Sequence, residues 1–367
     1  MYIKELKLHN FRNFENETFT FGKGLNILHG ANAQGKTNTG EAIFYLCTGY
    51  SPKASRDTQL VRNGEKEGCV AGTAVGMYGE VDVKINVSKS DKKSIFVNGT
   101  KINRYGELMG NINAVFFNPH ELKLVQESPE DRRRFLNISL SEQSRNYFYA
   151  LQKYNKILEQ RNALLKDRDY RTVLDTLPVW DKTLAKVGAK IIKARIDFMK
   201  LLAPKAQEFH SYITENKELL ELSMENGYTD DIDEIEAKLL AGLEGGRDRD
   251  IRLGYTCIGP HRDDIKIHLN GEDVKVYGSQ GQQRTVALSM KMAEVSVFEN
   301  VFKEKPILIL DDVMSELDRK RQKRLISALG DIQAIVTTTN VDGGLYKVPH
   351  TRFEIRKGKL FKVKEIK

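Results

Sequence analysis

Long apolar runs are missing from this chain. No stretch approaches the ~20 residues needed to span a bilayer, and the opening MYIKELKLHNF has no apolar signal-peptide core. A membrane-embedded or secreted protein is therefore not expected. Cysteine is scarce. Cys47, Cys69 and Cys257 lie far apart with no metal-ligand spacing, so they read as reduced thiols of a cytosolic protein and not as a disulfide framework or metal site. Repeats and low-complexity tracts are absent. Neither charge sign dominates: 58 Lys and Arg stand against 50 Asp and Glu, a net +8 with a pI near 9.1. That balance favours a polyanionic partner without proving one.

What is present separates into three regions. Short alternating strands fill the first part: YIKELKLHNF, GLNILHG, EVDVKINVS and SIFVNGTKI, the last read as a hairpin around Asn98-Gly99. Helical periodicity follows, in SRNYFYALQKYNKILEQRNALLK and DKTLAKVGAKIIKARIDFMKLL. Strands then return as IKIHL, PILILDD, QAIVTTT and RFEIRKG-KLFKV. The simplest account is an α/β fold over 1–124 and 251–367, interrupted by a helical insertion over 125–250.

The insertion is electrically lopsided. Residues 131–205 hold 17 Lys/Arg against 8 Asp/Glu, and residues 206–250 hold 4 against 13. On one helix, Lys182, Lys186, Lys190, Lys193 and Lys200 share a stripe opposite Leu184, Val187, Ile191, Phe198 and Leu202. Two readings stand: the solvated face of an amphipathic helix, or a surface that tracks nucleic-acid phosphates.

GANAQGKT, 30–37, fits G-x-x-x-x-G-K-[ST] in full, after an apolar strand and before a helix. Gly30, Ala31, Asn32, Ala33, Gln34 and Gly35, with Lys36, Thr37 and Asn38, are the expected cradle for ATP. The glycines let backbone N–H groups close on phosphate oxygens. Lys36 would reach the β- and γ-phosphates, and the Thr37 hydroxyl would bind Mg²⁺. PILILDD, 306–312, reads as a buried strand ending in carboxylates. Asp311 is expected in the Mg²⁺ shell and Asp312 at the attacking water. Asp is one methylene shorter than Glu, so slow hydrolysis is expected.

A second glycine turn, Ser279-Gln280-Gly281-Gln282-Gln283, opens another helix far downstream. A helix N-terminus of this kind holds anions, yet one P-loop site has no use for two. A two-fold dimer does, if each subunit offers this turn to its partner's nucleotide. Ser279, Gly281 and Gln282 would then bind the γ-phosphate in trans, and Lys36, Asp312 and Ser279 are the expected catalytic groups. SQGQQ resembles the signature motif of ABC-type ATPases, and Ser-Glu-Leu-Asp at 315–318 resembles their D-loop.

Seven stretches together carry a resemblance, from end to end, to the bacterial RecF family of SMC-like ATPases: LHNFRNFE at 8–15, GANAQGKTN at 30–38, FFNPHELKLVQESPEDRRRFLN at 116–137, YNKILEQRNALLK at 154–166, GYTCIGPHRDDI at 254–265, GSQGQQRT at 278–285 and ILDDVMSELD at 309–318. The resemblance implies an α/β P-loop ABC/SMC-like ATPase head of mixed sheets and helices, with a mostly helical insertion. It also implies a weak ATPase that binds double-stranded DNA and single-/double-strand gap junctions as an ATP-dependent homodimer. Such a protein acts with RecR and RecO to load RecA in repair, in the nucleoid-bearing cytoplasm and away from membranes.

The chain departs from the family pattern in places. Thr39 and Gly40 lower helix propensity after the P-loop and are expected to soften that helix. His120 replaces a more usual acid. No clear Q-loop glutamine is present, with Gln34 and Asn118 as substitutes, and Thr338, Thr339 and Asn340 stand where a switch histidine is expected.

Arg12 and Asn13 have two readings, nucleotide contact as in SMC-like heads or strand-end packing. His261 reads as a turn histidine or a catalytic one. Arg132, Arg133 and Arg134 are candidate DNA contacts, although three consecutive helical positions point different ways and at least one should pair with an acid. A transporter ATPase is disfavoured by the span of about 250 residues from Gly30 to Ser279. A long coiled-coil arm is disfavoured because Pro178 and Pro204 are expected to break the helix. A small-molecule P-loop kinase would not need the second turn.

Overall fold

The computed structural model describes residues 1–167, 170–339, 341 and 347–366. The chain divides into two compact units. The first comprises Met1–Leu122, Lys205–Glu218 and Ser279–Lys367, and the second Lys123–Pro204 and Leu219–Gly278. These boundaries differ from the contiguous cuts expected at 124/125 and 250/251. The strands of 219–278 group with the helices, and residues 205–218 group with the P-loop.

The first unit carries two six-stranded sheets. One runs Lys359–Ile366, His350–Arg356, Leu25–His29, Ala334–Thr338, Ile307–Asp311 and Ala114–Phe117, parallel except for its Lys359–Ile366 edge. Ile307–Asp311 and Ala334–Thr338 are buried at every position, as strands covered on both faces must be. The strand before the P-loop and the strand ending in Asp311 are thus separated by Ala334–Thr338.

The other sheet is antiparallel, in the order Phe14–Thr20, Tyr2–Phe11, Glu67–Gly76, Gly79–Ser88, Ser94–Val97 and Thr100–Ile102. Its strands alternate buried and exposed positions. The expected hairpin turn is there, with Asn98 at φ 49° and Gly99 at φ 76°, the left-handed pair that a two-residue turn requires. Phe14, Phe19, Phe21 and Phe353 form one aromatic cluster that joins this sheet to the parallel one.

Helices Pro129–Gln143 and Arg145–Leu164 lie in the second unit and precede one long helix, Tyr170–Thr214, of which the residues up to Pro204 group with the second unit and those from Lys205 with the first. That helix runs through both Pro178 and Pro204, against the expectation that they break it. Each proline removes one hydrogen bond, at about 3 kcal/mol or more. The buried stripe of Leu177, Leu184, Ile191, Phe198 and Leu202 offsets that loss, since each such side chain contributes roughly 1.5–3 kcal/mol. A three-stranded antiparallel sheet, Glu272–Asp273, Ile265–Leu269 and Leu220–Met224, completes the unit.

The P-loop helix runs unbroken through Thr39 and Gly40, spanning Lys36–Thr48. Gly40 is there for contact: a Cβ at this position would meet Ile309 Cγ2 at 2.9 Å and Phe116 Cε2 at 3.4 Å. Its absence lets the helix lie directly on the strands ending in Asp311 and Phe117. Gly40→Ala should therefore lower thermal stability by about 1–3 kcal/mol through overpacking, more than the ~1 kcal/mol that Ala gains in helix propensity. Calorimetric unfolding checks the sign, and a raised Tm would contradict this packing.

Candidate functional site

The loop Gly30–Gly35 closes around its own lysine. Lys36 Nζ donates to the carbonyls of Gly30 at 2.8 Å and Ala31 at 2.7 Å. Gly30 has φ 149°, and a Cβ there would stand 2.4 Å from the Ile355 carbonyl oxygen. Gly35 has φ 118°, with Phe14 and Asn13 within 3 Å of any Cβ. Only glycine fits either place. Ala31, Asn32 and Ala33 are exposed at the lip of the loop. Burial lowers the Lys36 ammonium below the ordinary lysine value, and the charges of Asp312 and Asp311 pull it back up.

Two residues with a second reading as nucleotide contacts, Asn13 and Arg12, are hydrogen-bonded to the protein. Asn13 Nδ2 donates to the Gln34 carbonyl at 2.9 Å, and its Oδ1 accepts from Asn38 Nδ2 at 2.8 Å. Gln34 is gripped from the other side by the N–H groups of Lys357 and Gly358. Arg12 makes a paired contact with Glu41, Nε to Oε2 at 2.8 Å and Nη2 to Oε1 at 2.6 Å, and its Nη1 donates to the Gln59 carbonyl. Their hydrogen-bonding groups are engaged in shaping the P-loop and its helix. Gln34 and Asn118, weighed as sensor substitutes, are likewise committed: Asn118 is buried and caps the turn at His120. Asn340 lies outside the described residues.

Asp311 stands at the carboxyl end of its strand and is only 2 % exposed. Its Oδ1 accepts from Thr37 Oγ1 at 2.7 Å and Thr337 Oγ1 at 2.8 Å, and its Oδ2 faces Lys53 Nζ at 3.1 Å. A threonine hydroxyl beside a carboxylate is an oxygen donor pair that suits Mg²⁺, which completes its shell with phosphate oxygens and water. The pair therefore fits the expected cation. Asp312 adopts φ 57°, a left-handed conformation costly for a non-glycine residue. Its N–H donates to Thr337 Oγ1, and its Oδ1 and carbonyl accept from Ser315 Oγ.

Ser279 is the N-cap of the helix Gln280–Phe302, in a full capping box. Its Oγ accepts the Gln282 N–H at 3.3 Å, while Gln282 Oε1 accepts the Ser279 N–H at 2.9 Å. Ser279 and Gln280 are exposed. The first-turn N–H groups of Gln280 and Gly281, together with the Ser279 hydroxyl proton, point out of the helix end.

The turn is braced from within the same unit. Gln282 Nε2 donates to Glu218 Oε1 at 3.0 Å, Glu218 Oε2 lies 3.1 Å from His210 Nε2, and His210 Nδ1 lies 3.1 Å from Ser289 Oγ. His210 is fully buried, and burial holds its pKa below the ordinary value against the pull of Glu218.

Every polar residue of Ser-Glu-Leu-Asp has a partner. Ser315 binds Asp312, Glu316 pairs with Arg284 of the signature helix at 2.6 Å, and Asp318 caps the helix Arg319–Leu329.

In the second unit, Arg132 is buried and its guanidinium is paired with both oxygens of Asp264, at 2.6 and 2.9 Å. It is structural, its charge matched inside the unit and out of reach of DNA. Arg133 donates to the Asp263 carbonyl, and Arg134 is exposed. Lys182, Lys186, Lys190 and Lys200 are exposed and Lys193 half-buried. Lys193 pairs with Asp197 and Lys200 with Asp230, while Lys182, Lys186 and Lys190 have no carboxylate partner among the described residues. His261 is a turn histidine: Tyr154 Oη and the Thr256 carbonyl take its two nitrogens, and burial pushes its pKa down to about 4.

Glu41, Lys53, Thr337, His210 and Glu218 went unread in the sequence. Only Glu41 left a trace, as an acid among the apolar positions of the P-loop helix. No described helix is long and apolar enough to cross a membrane.

A P-loop strand, a hydroxyl-bound aspartate strand between parallel neighbours, and a signature helix whose N-terminal end is exposed define the class: an ABC/SMC-like ATPase head carrying a helical second unit. Comparison with known proteins narrows this. The RecF/RecN/SMC N terminal domain family matches residues 2–346. The DNA replication and repair protein RecF of Clostridium kluyveri is 43% identical over 342 residues, covering 93% of this chain and 94% of that protein. Two solved structures of the recombination mediator protein RecF, named RecF-ATPrS and RecF-ATP, have TM-scores of 0.90 and 0.89 at 35% and 34% identity. Each match covers 100% of this chain and 98% of that one. The chain belongs to the RecF family.

Glu218→Ala should free Gln282 and loosen the signature cap at a cost of about 1 kcal/mol. Hydrogen exchange at the N–H groups of Gln282 and Gln283 checks this. Faster exchange there, with the P-loop helix unaffected, is expected, and unchanged protection would contradict the brace.

Proposed function

We propose that this protein is an ATP-dependent DNA-binding recombination mediator of the RecF type, in which ATP joins two copies into a clamp. The observation that carries the reading is the exposed end of the signature helix. It presents a serine hydroxyl and two N–H groups outward from the unit that also holds a complete P-loop. A partner's γ-phosphate is the anion that such an end suits. Lys36, the N–H groups of the loop and Thr37 would hold the nucleotide, and Thr37 and Asp311 would hold Mg²⁺, which would supply positive charge against the phosphates. Asp312, fixed by Thr337 and Ser315, would orient water. Its short side chain makes hydrolysis slow, so that ATP acts as a timed switch and weak ATPase activity resets the clamp.

The exposed lysines Lys182, Lys186 and Lys190 favour contact with DNA phosphates, which is sequence-independent. Membership of the RecF family supports action at gap junctions with RecR and RecO to promote RecA loading, in the cytoplasm.

DNA binding to a gapped duplex with ATP–Mg²⁺, measured over a salt series, tests the reading. Changing Lys182, Lys186 and Lys190 to Glu should weaken binding and flatten the log–log salt slope by up to about 3. Ser279→Arg should bind ATP as before and lose the ATP-dependent increase in DNA affinity. Full ATP-dependent binding by Ser279→Arg would sink the trans reading of the signature.

A further inference from the structure

The loop after the P-loop helix, residues 49–57, belongs to none of the motifs, yet it is held at both ends. Ser51 Oγ accepts the N–H groups of Lys53 at 3.0 Å and Ala54 at 2.8 Å, and donates to Glu41 Oε1 at 2.5 Å. Glu41 is fully buried and is itself held by Arg12. At the far end, Lys93 pairs with Asp57 at 2.7 Å, donates to the Gly49 carbonyl at 2.5 Å, and lies over the rings of Tyr45 and Tyr105. This scaffold presents one side chain to the nucleotide site. Lys53 Nζ meets Asp311 Oδ2 at 3.1 Å, on the carboxylate whose other oxygen is bound by Thr37 and Thr337.

We propose that Lys53 competes with the divalent cation for Asp311 and thereby sets how much Mg²⁺ the nucleotide site requires. This rests on the reading of Thr37 and Asp311 as the cation's ligands. An ammonium group and a divalent cation on the same small carboxylate stand within a few ångströms of each other, where like charges repel strongly in a partly desolvated setting. One of them must leave. Asp311 has no freedom to follow, being 2 % exposed and fixed by two hydroxyls, whereas the Lys53 side chain is 30 % exposed and has a path to water. Cation binding therefore displaces Lys53 and not the carboxylate. Lys36 does not make the same contact with Asp311: its ammonium donates to the carbonyls of Gly30 and Ala31. The chain Arg12–Glu41–Ser51–Lys53 links Arg12 to Asp311 through this loop.

The test uses the full chain with a fluorescent ATP analogue. Mn²⁺ bound in the nucleotide complex is read by electron paramagnetic resonance, and Mg²⁺ is titrated against the analogue's fluorescence. Lys53→Ala should lower the half-saturating concentration of either cation about tenfold, the scale of one charge-assisted hydrogen bond. Lys53→Gln, which removes the charge while keeping most of the side chain, should do the same, and Lys53→Arg should keep the wild-type value. An unchanged or raised half-saturation in both neutral variants, with nucleotide still bound, would overturn the competition. Asp311→Asn separates the two layers. If it weakens cation binding while the Lys53 variants change nothing, the competition alone fails. If it leaves cation affinity unaltered, the assignment of Asp311 as a ligand fails with it.

Discussion

One buried carboxylate organises the first unit. Asp311 is almost without contact with water, and a buried carboxylate lacking partners would cost several kcal/mol. Its partners come from three places far apart in sequence: Thr37 at the start of the P-loop helix, Thr337 on the neighbouring strand, and Lys53 on the following loop. Satisfying that one charge therefore fixes the P-loop helix against the sheet. It also places Thr337 Oγ1 where it accepts the N–H of Asp312. From Asp312 the connections pass to Ser315, then through Glu316 to Arg284 on the signature helix. The nucleotide loop, the strand carboxylates and the signature helix are thus joined by hydrogen bonds, an ion pair and the short chain segment from Asp312 to Glu316.

Much of this was legible in the sequence because it is local. A P-loop between strand and helix, an apolar run ending in two carboxylates, Asn-Gly between alternating strands and a Ser-Gln-Gly turn opening a helix are each written within a few residues. Partners distant in sequence were not legible. Arg12 has an unexceptional place at a strand end, and nothing nearby announces Glu41, 29 positions on, as its acceptor. His210 and Glu218 belong to a helix end and a turn that no motif marks, and only the fold brings them beneath Gln282. The prolines misled for a related reason. Their local cost is real, but a long buried stripe outweighs it. Gly40 misled in the same direction, because propensity counts what a glycine loses and not the contact that its missing Cβ permits.

The second unit shows how charge is sorted once neighbours are known. Arg132 looks like its neighbours in the run of three arginines, yet it faces inward to Asp264, while Arg134 faces out. Along Tyr170–Thr214, two lysines of the stripe are matched by Asp197 and Asp230, and three are left to solvent and to any polyanion that approaches. Net composition could indicate a basic region, but only the pairing shows which cations remain available. A patch of unmatched lysines on a rigid helix is suited to phosphate contact, where geometry is undemanding and salt dependence is steep.

The central claim is that the exposed end of the signature helix completes a nucleotide site on a second copy of the chain. Molar mass by light scattering on a size-exclusion column tests this most directly, with the protein run alone, with ADP, and with ATP–Mg²⁺ in the presence of duplex DNA. The account predicts a doubling of protein mass with ATP and none with ADP. A protein mass that stays monomeric with ATP and DNA shown to be bound would contradict it.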